Sequence, residues 1–461
     1  MPDPKDHDSP IVRFAPSPTG YLHIGNIRTA VLNWLFARAA GGRFILRFDD
    51  TDTERARQEY ADAIVEDLTW LGLAWDDSVR QSDRTDRYNQ VADALKAAGR
   101  LYPCFETPDD LERKRRLQRA RGVPPVYDRA ALTLTPDTIA AREAAGERPH
   151  WRFLLVDRAT LAGGPLPRVA WDDLVRGHQE VDLGSLSDPV LIREDGSFLY
   201  TFTSVVDDVD LSITHIVRGE DHVTNTGVQM QLFRAIGAEP PQFAHHSLLV
   251  GADGAALSKR LGDLAIRRFR EQGLEPGTIA SLAALIGTSD AIEPHRTVAE
   301  LAERFAFAKI SRAPARFEPK DLVTLNAKLV QALTYADVGA RLEAMDVQGG
   351  APFWEAVRGN IETVADAHRW WTIVAGPVTP IICDPDVCAA ARETLPEGLL
   401  SAEVWGPWME AVKRATGRKG RALFMPIRQA LTGLESGPEL APLLAFMGRE
   451  RILARLSGDT A

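Results

Sequence analysis

Three sets of polar residues, far apart in the chain, have the types that phosphate chemistry requires. His23 and Asn26 follow a loop rich in turn formers, Asp49 follows an apolar run, and residues 258–260 are a serine, a lysine and an arginine. Imidazole, amide and cationic side chains can donate hydrogen bonds to phosphoryl oxygens, on which negative charge develops when the α-phosphate of a nucleotide is attacked. In combination the three sets indicate nucleotidyl transfer, a reaction in which no protein side chain has to be the nucleophile.

Taken singly, each set has a simpler explanation. A lone loop histidine such as His23 more often makes one structural hydrogen bond, and Lys259 with Arg260 is more often a surface pair. The chain also lacks a phosphate-binding loop of the G-x-x-x-x-G-K-[ST] type and a G-x-G-x-x-G sequence after a strand. The prediction therefore depends on whether the fold brings the three sets together.

The elements that would position His23 are a strand, a loop and a helix. Residues 11–14 are mostly apolar and predict a short buried strand, which Pro16 and Pro18 end because proline lacks the N–H that a ladder needs. Apolar residues then recur at helical spacing from Gly25 onwards. The first turn of such a helix offers N–H groups and a partial positive charge to a phosphate.

A second strand is predicted over residues 43–48, with Asp49 at its carboxyl end. Ligands bind beyond the carboxyl ends of the strands in open parallel sheets, so Asp49 would face the same cleft as the helix mouth. The alternative is that the acidic cluster caps a helix over residues 53–71, with Thr51 or Asp52 as the N-cap.

The organisation of the chain changes twice. Residues 100–105 predict an edge strand of the same parallel sheet, and the alternation of strand and helix stops near Glu106. The run over residues 111–121 is strongly basic, which suits either the phosphates of a nucleic acid or a solvated helix face. Short strands and turns follow up to residue 197, where βα alternation resumes, and beyond residue 264 only helical patterns are evident. We predict an α/β fold with an inserted α/β segment, followed by an all-helical half.

The totals exclude several classes of protein. A length of 461 residues predicts about three domains, and a net charge of −10 disfavours a protein whose whole surface binds nucleic acid. Cys104, Cys383 and Cys388 are too few for a disulfide framework, which favours the reducing cytoplasm. No apolar run approaches the ~18 residues that span a bilayer, and the polar start of the chain lacks the apolar core of a signal peptide.

Several segments, in order, resemble those of bacterial-type glutamyl-tRNA synthetases, which are class I aminoacyl-tRNA synthetases. Residues 13–26 resemble the first signature of that family, an H-x-G-H motif whose last position varies, and residues 257–260 resemble its K-[LM]-S-K-[SR] loop. The other matching segments are residues 47–52, 205–208, 217–226 and 426–433. The resemblance covers most of the chain.

This resemblance implies the activation of L-glutamate with ATP as glutamyl-AMP, followed by transfer to the 3′ end of tRNA-Glu, of tRNA-Gln or of both. Mg²⁺ is expected with the ATP. The implied catalytic residues are His23, Asn26 and Lys259. The positions that match the family's ATP contacts are His23, Gly25, Asn26, Ser258, Lys259 and Arg260. The positions that match its glutamate contacts are Arg13, Ala15, Ser17, Asp49, Tyr200, Arg218 and His222.

The resemblance also implies a division into domains. Residues 1–105 and 198–325 would form the Rossmann-like class I catalytic domain, and the second of these ranges would include a region that contacts the tRNA stem. Residues 106–197 would be an inserted acceptor-binding domain, and residues 326–461 a helical anticodon-binding domain. We expect a cytoplasmic monomer that binds tRNA and has no contact with a membrane.

The chain departs from the family's pattern at three places. Asp49 stands where many relatives have the longer glutamate, which alters the contact with the amino group of the substrate. Ala256 replaces the first lysine of the loop motif and removes one cation. Some relatives hold zinc in the insertion, but Cys104 has no second cysteine at residues 105–106 or 127–129. Neither a four-ligand structural zinc site nor any other metal site in the protein is therefore expected.

Two other functions are compatible with parts of this pattern. A related class of enzyme attaches glutamate to a modified base of tRNA, but its members are shorter and lack the anticodon half, whereas this chain continues through residues 426–433. A catalytically silent paralogue that only binds tRNA is disfavoured by His23, Lys259 and Arg260, although Ala256 is in its favour.

Overall fold

The structure is a computed structural model that describes residues 9–255, 257, 264–398 and 400–461. Packing separates the described residues of Met1–Phe269 and Ile279–Glu318 from those of Arg270–Thr278 and Pro319–Ala461. We refer to these two sets as the first unit and the second unit.

All strands among the described residues belong to the first unit. Helices lie between these strands, and further helices follow the last strand. The strands are β1 (Ile11–Phe14), β2 (Arg43–Phe48), β3 (Asp77–Arg80), β4 (Leu101–Cys104), β5 (His150–Phe153), β6 (Arg168–Asp173), β7 (Gly177–Asp182), β8 (Val190–Ile192), β9 (His215–Gly219), β10 (Gln242–His246), β11 (Leu249–Gly251) and β12 (Ala315–Phe317). The helices before residue 318 are α1 (Ile24–Ala39), α2 (Gln58–Trp70), α3 (Thr85–Ala97), α4 (Pro108–Ala120), α5 (Pro136–Ala144), α6 (Arg158–Ala162), α7 (Tyr200–Asp210), α8 (Val223–Ala235), α9 (Ile266–Glu271), α10 (Pro276–Leu285) and α11 (Val298–Ala302). The later helices are α12 (Pro319–Ala332), α13 (Tyr335–Ala344), α14 (Gly350–Val357), α15 (Asp366–Ala375), α16 (Pro385–Glu393), α17 (Ala402–Thr416), α18 (Arg421–Thr432), α19 (Leu440–Met447) and α20 (Arg449–Leu456).

Parallel strands form the centre of the first unit. β1 pairs with β2 and β2 with β3, and β9 pairs with β10, all in parallel. The backbone N–H of Thr214, just before β9, donates to the carbonyl oxygen of Ile11 (3.0 Å), which places the start of β9 beside β1. The strands predicted over residues 11–14 and 43–48 are confirmed, and Val12 is fully buried.

The region after β2 differs from the prediction. α2 begins only at Gln58, and its N-cap residue, Arg57, makes no side-chain capping bond. The side chain of Asp52 instead bonds to Arg55 within a turn (2.8 Å), so the prediction that Thr51 or Asp52 caps a helix from residue 53 is wrong. β3 was not predicted, because this short edge strand is mostly polar and shows no alternation of apolar residues.

Residues 100–105 also pair differently from the prediction. β4 lies antiparallel to β5, and β5 lies antiparallel to β8, so β4 belongs to the sheet of the inserted segment and not to the parallel sheet. The reason is packing, since Leu101 lies in one core with Phe153, while Tyr102 and Cys104 lie on the other side with Leu154. A second difference is β12, which pairs in parallel with β11 in a region where only helices were predicted.

The basic run of the inserted segment lies on α4. This helix buries none of its residues, and Thr107 and Asp110 close its N-terminus in a reciprocal capping box. Glu112 on the same helix lies within 3.7 Å of Arg115, Arg116 and Arg119. This arrangement fits the interpretation of the basic run as a solvated helix face. The exposed cations are also compatible with the second interpretation, contact with the phosphates of a nucleic acid.

The second unit is helical throughout its described residues, as predicted. Its helices pack around one apolar core that includes the fully buried Trp354 and Trp408, and the indole N–H of each donates to a backbone carbonyl (2.9 Å). Cys383 is exposed, whereas burial raises the pKa of Cys388 to about 11. Across the part of the chain that the structure describes, no helix has the length and apolar character needed to cross a bilayer.

Candidate active site

A cavity of about 890 Å³ opens in the first unit where β1 ends, α1 begins and β9 leads into α8. Most of the predicted site residues line it: Arg13, Ala15, Ser17, His23, Gly25, Asn26, Tyr200, Arg218 and His222. The predicted loop residues Ser258, Lys259 and Arg260, and the variant position Ala256, lie outside the described residues. Asp49 does not belong to the described lining.

The loop between β1 and α1 is fixed by backbone hydrogen bonds to neighbouring elements. The N–H of Asp49 donates to the carbonyl of Pro16 (3.0 Å), and the N–H of Arg57 donates to the carbonyl of Pro18 (3.0 Å). The loop is thereby tied to the end of β2 and to the start of α2. Its course sets the position of Ser17 in the cavity wall.

His23 is the N-cap of α1, and this role determines the state of its ring. The N–H of Gly25 donates to His23 Nδ1 (3.1 Å), and the His23 N–H donates to Asn26 Oδ1 (3.2 Å). Because Nδ1 accepts a hydrogen bond, the ring proton of neutral His23 lies on Nε2. Burial lowers the pKa of His23, which favours that neutral ring. Its Nε2–H is therefore available as a donor at the positive end of a helix.

Ala265 lies beside the N-cap residue of α1. It forms a β-bridge with His23, and the N–H of Ile266 donates to the carbonyl of Leu22 (2.9 Å). Leu257 and Ala265 both line the cavity.

Two buried arginines, Arg13 and Arg218, also line the cavity, and their side chains have different partners. Arg13 Nε lies 3.0 Å from Asp208 Oδ1, so its charge has a carboxylate partner. Arg218 donates to neutral acceptors on Gln229 (2.7 Å), Thr226 (2.7 Å) and His245 (3.2 Å).

Arg218 is 5% exposed, and among the described residues no carboxylate lies within ion-pair distance of it. Burial lowers the pKa of Arg218, which is the expected cost of holding a cation away from water. A buried guanidinium at a cavity wall with only neutral partners can gain a carboxylate or phosphate ligand. The site is therefore suited to an anion.

The structure pairs the Asp49 carboxylate with Arg47, and the predicted contact of Asp49 with glutamate stays a prediction. Both carboxylate oxygens of Asp49 accept hydrogen bonds from Arg47 (2.7 and 3.2 Å), and Arg47 also bonds to Asp208 (2.8 Å). Burial raises the pKa of Asp49, although the charge of Arg47 acts against that rise. Because Asp208 also bonds Arg13, Asp49 belongs to a buried network behind the cavity wall.

The sequence analysis missed two cavity residues, Arg28 and His246. Arg28 is 1% exposed, and its guanidinium donates to the carbonyls of Ser247 (2.5 Å) and Ile286 (3.0 Å). Its position on the apolar face of α1, four residues after Ile24, was the available signal. His246 Nε2 lies 3.0 Å from the hydroxyl oxygen of Thr29 on the same helix.

We expect His246 to make the fold less stable in acid. Burial, followed by the charge of Arg28, lowers the pKa of His246 to about 3. Below pH ~6.5 the unfolded chain therefore binds a proton that the folded chain does not, so stability falls as the pH falls. In His246→Gln the fall of the free energy of unfolding with falling pH should be smaller by about 1.4 kcal/mol per pH unit between pH 6 and 4. Urea unfolding at several pH values measures it.

The matched control is His178→Gln, a change at an exposed imidazole. Its urea unfolding should show the same pH dependence as the unaltered chain. An unchanged pH dependence in His246→Gln would contradict the prediction.

A separate group of possible metal ligands lies in the inserted segment. The ligand atoms of Cys104, Glu106 and His150 are within 4.8 Å of one another. The hydroxyl of Tyr127 donates to Glu106 Oε1 (2.7 Å), while Glu106 Oε2 and His150 Nε2 have no hydrogen-bond partner among the described residues. Burial raises the pKa of the Cys104 thiol to about 12, so the group offers two ready ligands and one protonated thiol.

The fold is that of an α/β protein with a parallel sheet. Its cavity, lined by the capped N-terminus of α1 and by the buried Arg13 and Arg218, is suited to a nucleotide and a second anion. Residues 11–324 match the model of the tRNA synthetases class I (E and Q), catalytic domain, and residues 394–458 match that of an anticodon binding domain. The chain belongs to the class I tRNA synthetases of this group. The fold class predicted from the sequence is thereby confirmed.

Known relatives span the whole chain. The glutamate–tRNA ligase 2 of Methylorubrum populi is 56% identical over 455 residues, which cover 98% of this chain and 99% of that protein. The glutamate–tRNA ligase 1 of Maricaulis maris is 55% identical over 98% of this chain and 99% of its own length. A crystal structure of a glutamate tRNA ligase from Elizabethkingia meningosepticum, in complex with its amino acid, is 26% identical with a TM-score of 0.85, over 97% of this chain and 98% of that one.

Proposed function

We propose that this protein activates L-glutamate with ATP to glutamyl-AMP and transfers the glutamyl group to the 3′ end of tRNA-Glu. One observation carries the proposal: the capped N-terminus of α1 and the buried Arg218, which has no carboxylate partner among the described residues, line a single cavity. These two groups suit the triphosphate of ATP and a carboxylate of glutamate. The near-complete overlap with glutamate–tRNA ligases supports it.

Glutamate is bound through its charges. Arg218 and Arg13 receive carboxylate oxygens, because a guanidinium presents two parallel N–H donors that fit a carboxylate. Ser17, Tyr200 and His222 supply further polar contacts from the lining, beside the backbone of Ala15. Asp49 orients Arg47, and Arg47 holds Asp208 against Arg13, so Asp49 acts from behind the wall of the cavity.

ATP lies at the mouth of α1. The α-carboxylate of glutamate attacks the α-phosphate, a new P–O bond forms, and the bond to pyrophosphate breaks. His23 Nε2–H and the side chain of Asn26 donate to the phosphoryl oxygens as charge develops on them. Gly25 leaves room for the nucleotide. Ser258, Lys259 and Arg260 supply further contacts to the phosphates, as the resemblance of residues 257–260 to the family's loop implies.

We propose that Mg²⁺ accompanies the ATP. Asp221 is the carboxylate that the described lining residues would offer to it, and the ion would neutralise charge on the phosphates.

The tRNA completes the reaction. A hydroxyl of its terminal ribose attacks the carbonyl carbon of glutamyl-AMP, and AMP leaves. The inserted segment, residues 106–197, takes the acceptor end, and residues 326–461 take the anticodon, in agreement with the anticodon-domain match. We propose a monomer that works in the cytoplasm, where ATP and tRNA are available.

The test is glutamate-dependent exchange of pyrophosphate into ATP in the presence of tRNA, followed by charging of purified tRNA-Glu and tRNA-Gln side by side. We expect exchange, and glutamyl-tRNA-Glu as the product. Absence of exchange with either tRNA would overturn the proposal, and charging of tRNA-Gln alone would overturn the choice of tRNA.

We predict that Gly25→Ala lowers kcat of this exchange, but by less than the ~10²-fold effect of a shift of about 1 Å in a reacting group. A Cβ at Gly25 would lie 3.0 Å from His23 Cε1, so the imidazole would have to move by a smaller distance. Exchange rates at saturating substrates measure the effect.

The control for this mechanism is the double variant with His23→Ala. If the methyl group acts through His23, the double variant loses no more activity than His23→Ala alone. Additive losses would contradict it.

We also propose that no structural zinc is needed. Cys104, Glu106 and His150 provide one ligand fewer than the four of a structural site. We predict well under one zinc per purified chain, measured by elemental analysis, and no change in melting temperature on chelation. One zinc per chain, with a lowered melting temperature after its removal, would contradict this, and Cys104→Ser would then locate it.

A further inference from the structure

A buried chain of hydrogen bonds joins Arg218 at the cavity wall to an aspartate of the inserted segment. Arg218 Nε donates to His245 Nε2 (3.2 Å), and His245 Nδ1 lies 2.5 Å from Asp173 Oδ2. Asp173 is the last residue of β6, and His245 lies on β10. Asp173 is 4% exposed, His245 is 0% exposed and Arg218 is 5% exposed, so water does not compete for their hydrogen bonds.

We propose that Asp173 is a positioning residue for glutamate binding, which sets the ring tautomer of His245 and through it the orientation of Arg218. The proposal rests on the proposed function, because it takes Arg218 to be the group that binds a carboxylate of glutamate. It adds a residue of the inserted segment to the glutamate pocket.

The direction of each hydrogen bond follows from the chemistry of the groups. A carboxylate can only accept, so the proton of neutral His245 lies on Nδ1, between the ring and Asp173. His245 Nε2 then carries a lone pair, which the Nε–H of Arg218 needs as its acceptor. With the other tautomer two N–H groups would face each other, and Arg218 would lose this contact.

The surroundings of His245 hold the ring in one orientation. Its ring is stacked with that of Phe243 at 6.1 Å, with 13° between the planes. Thr226 Oγ1 lies 3.0 Å from His245 Nε2 and also accepts from Arg218 (2.7 Å). Burial lowers the pKa of His245, which keeps the ring neutral as the chain of bonds requires.

Asp173 has a second set of partners that makes the proposal testable with an isosteric change. Its Oδ1 accepts hydrogen bonds from the backbone N–H groups of Val175 (3.0 Å), Arg176 (2.9 Å) and His245 (3.1 Å). In Asp173→Asn the amide oxygen has to serve these three donors, so the amide NH₂ group faces His245 Nδ1. The ring proton is then driven to Nε2, opposite Arg218.

We expect Asp173→Asn to raise KM for glutamate by about 10- to 100-fold, as for the loss of a hydrogen bond to a charged group, with KM for ATP unchanged within about twofold. Initial rates of pyrophosphate exchange at varied glutamate and at varied ATP separate the two. The matched control is Asp172→Asn on the same strand, where the carboxylate is 90% exposed and bonds His178 on the neighbouring strand. It should leave both KM values unchanged.

A double-variant cycle tests the route through His245. In His245→Gln an amide oxygen can accept from Arg218 without any choice of tautomer, so Asp173→Asn should cause little further loss in that background. Losses that multiply independently would overturn the proposal, as would an unchanged KM for glutamate in an active, folded Asp173→Asn.

A measurement on the unaltered protein covers the case in which a variant fails to fold. Nitrogen-15 NMR of protein labelled at histidine, assigned with His245→Gln, should show the His245 proton on Nδ1. A proton on Nε2 would overturn the proposal whatever the variants do. If the unaltered protein shows no glutamate-dependent exchange, the proposed function fails, while the NMR result still decides the tautomer.

Discussion

Arg218→Met is expected to lower kcat/KM for glutamate by roughly 30- to 5,000-fold while the protein stays folded. The hydrogen bonds of the guanidinium go to neutral acceptors on Gln229, Thr226 and His245, and no carboxylate of the described residues lies within ion-pair distance of it. Removing the guanidinium takes away the main anion contact and also the cost of burying this cation. We therefore expect the free energy of unfolding to change by less than about 2 kcal/mol.

Pyrophosphate exchange at varied glutamate, with melting curves of the same samples, measures both parts of this expectation. Arg234→Met is the matched control, because Arg234 is exposed on α8 in the same unit. It should change neither value. Normal use of glutamate by Arg218→Met would contradict the assignment of the pocket.

The same substitution at Arg47 is expected to have a much larger effect on stability. Arg47→Met should lower the free energy of unfolding by about 3–5 kcal/mol, because it leaves the buried Asp49 without its cation and removes one of the two cations beside Asp208. The Arg47 side chain is fully buried and lies 2.7 Å from Asp49, 2.8 Å from Asp208 and 3.7 Å from Asp207. Burial alone would lower the pKa of Arg47, but the charges of these aspartates raise it well above its ordinary value.

Urea unfolding followed by fluorescence measures the loss. The control is Arg43→Met at the start of the same strand, where the arginine is 53% exposed and lies 3.8 Å from Asp77. This exposed pair should contribute within about 0.5 kcal/mol. Equal stability of Arg47→Met and Arg43→Met would contradict the view that Arg47 balances the buried charges.

The two arginines also show what the sequence could predict. Strand, loop and helix around His23 are adjacent in the chain, and their apolar spacing and prolines define them locally, so β1, α1 and the capped helix mouth were predictable. The motif around Arg218 placed that residue in the same pocket. The role of Arg47 was hidden, because its partners Asp207 and Asp208 are about 160 residues away in sequence.

The wrong sheet predicted for β4 and the missed strand β3 also have physical causes. β4 is apolar enough for either sheet, and only its antiparallel partner β5, across an insertion, decides its place. β3 shows no apolar alternation, because it is a short edge strand with few buried side chains. The contact between Asp173 and His245 crosses from the inserted segment to β10, and no local pattern in the chain indicates it.

The unequal burial of the three cysteines makes the unaltered chain suitable for site-specific labelling. Burial raises the pKa of Cys104 to about 12 and that of Cys388 to about 11, and both thiols are enclosed, whereas Cys383 is exposed. Alkylation requires an accessible thiolate, so a maleimide dye at neutral pH will react at Cys383. A single fluorophore can thus be placed in the second unit without mutagenesis, where its anisotropy would report the arrival of a large polynucleotide.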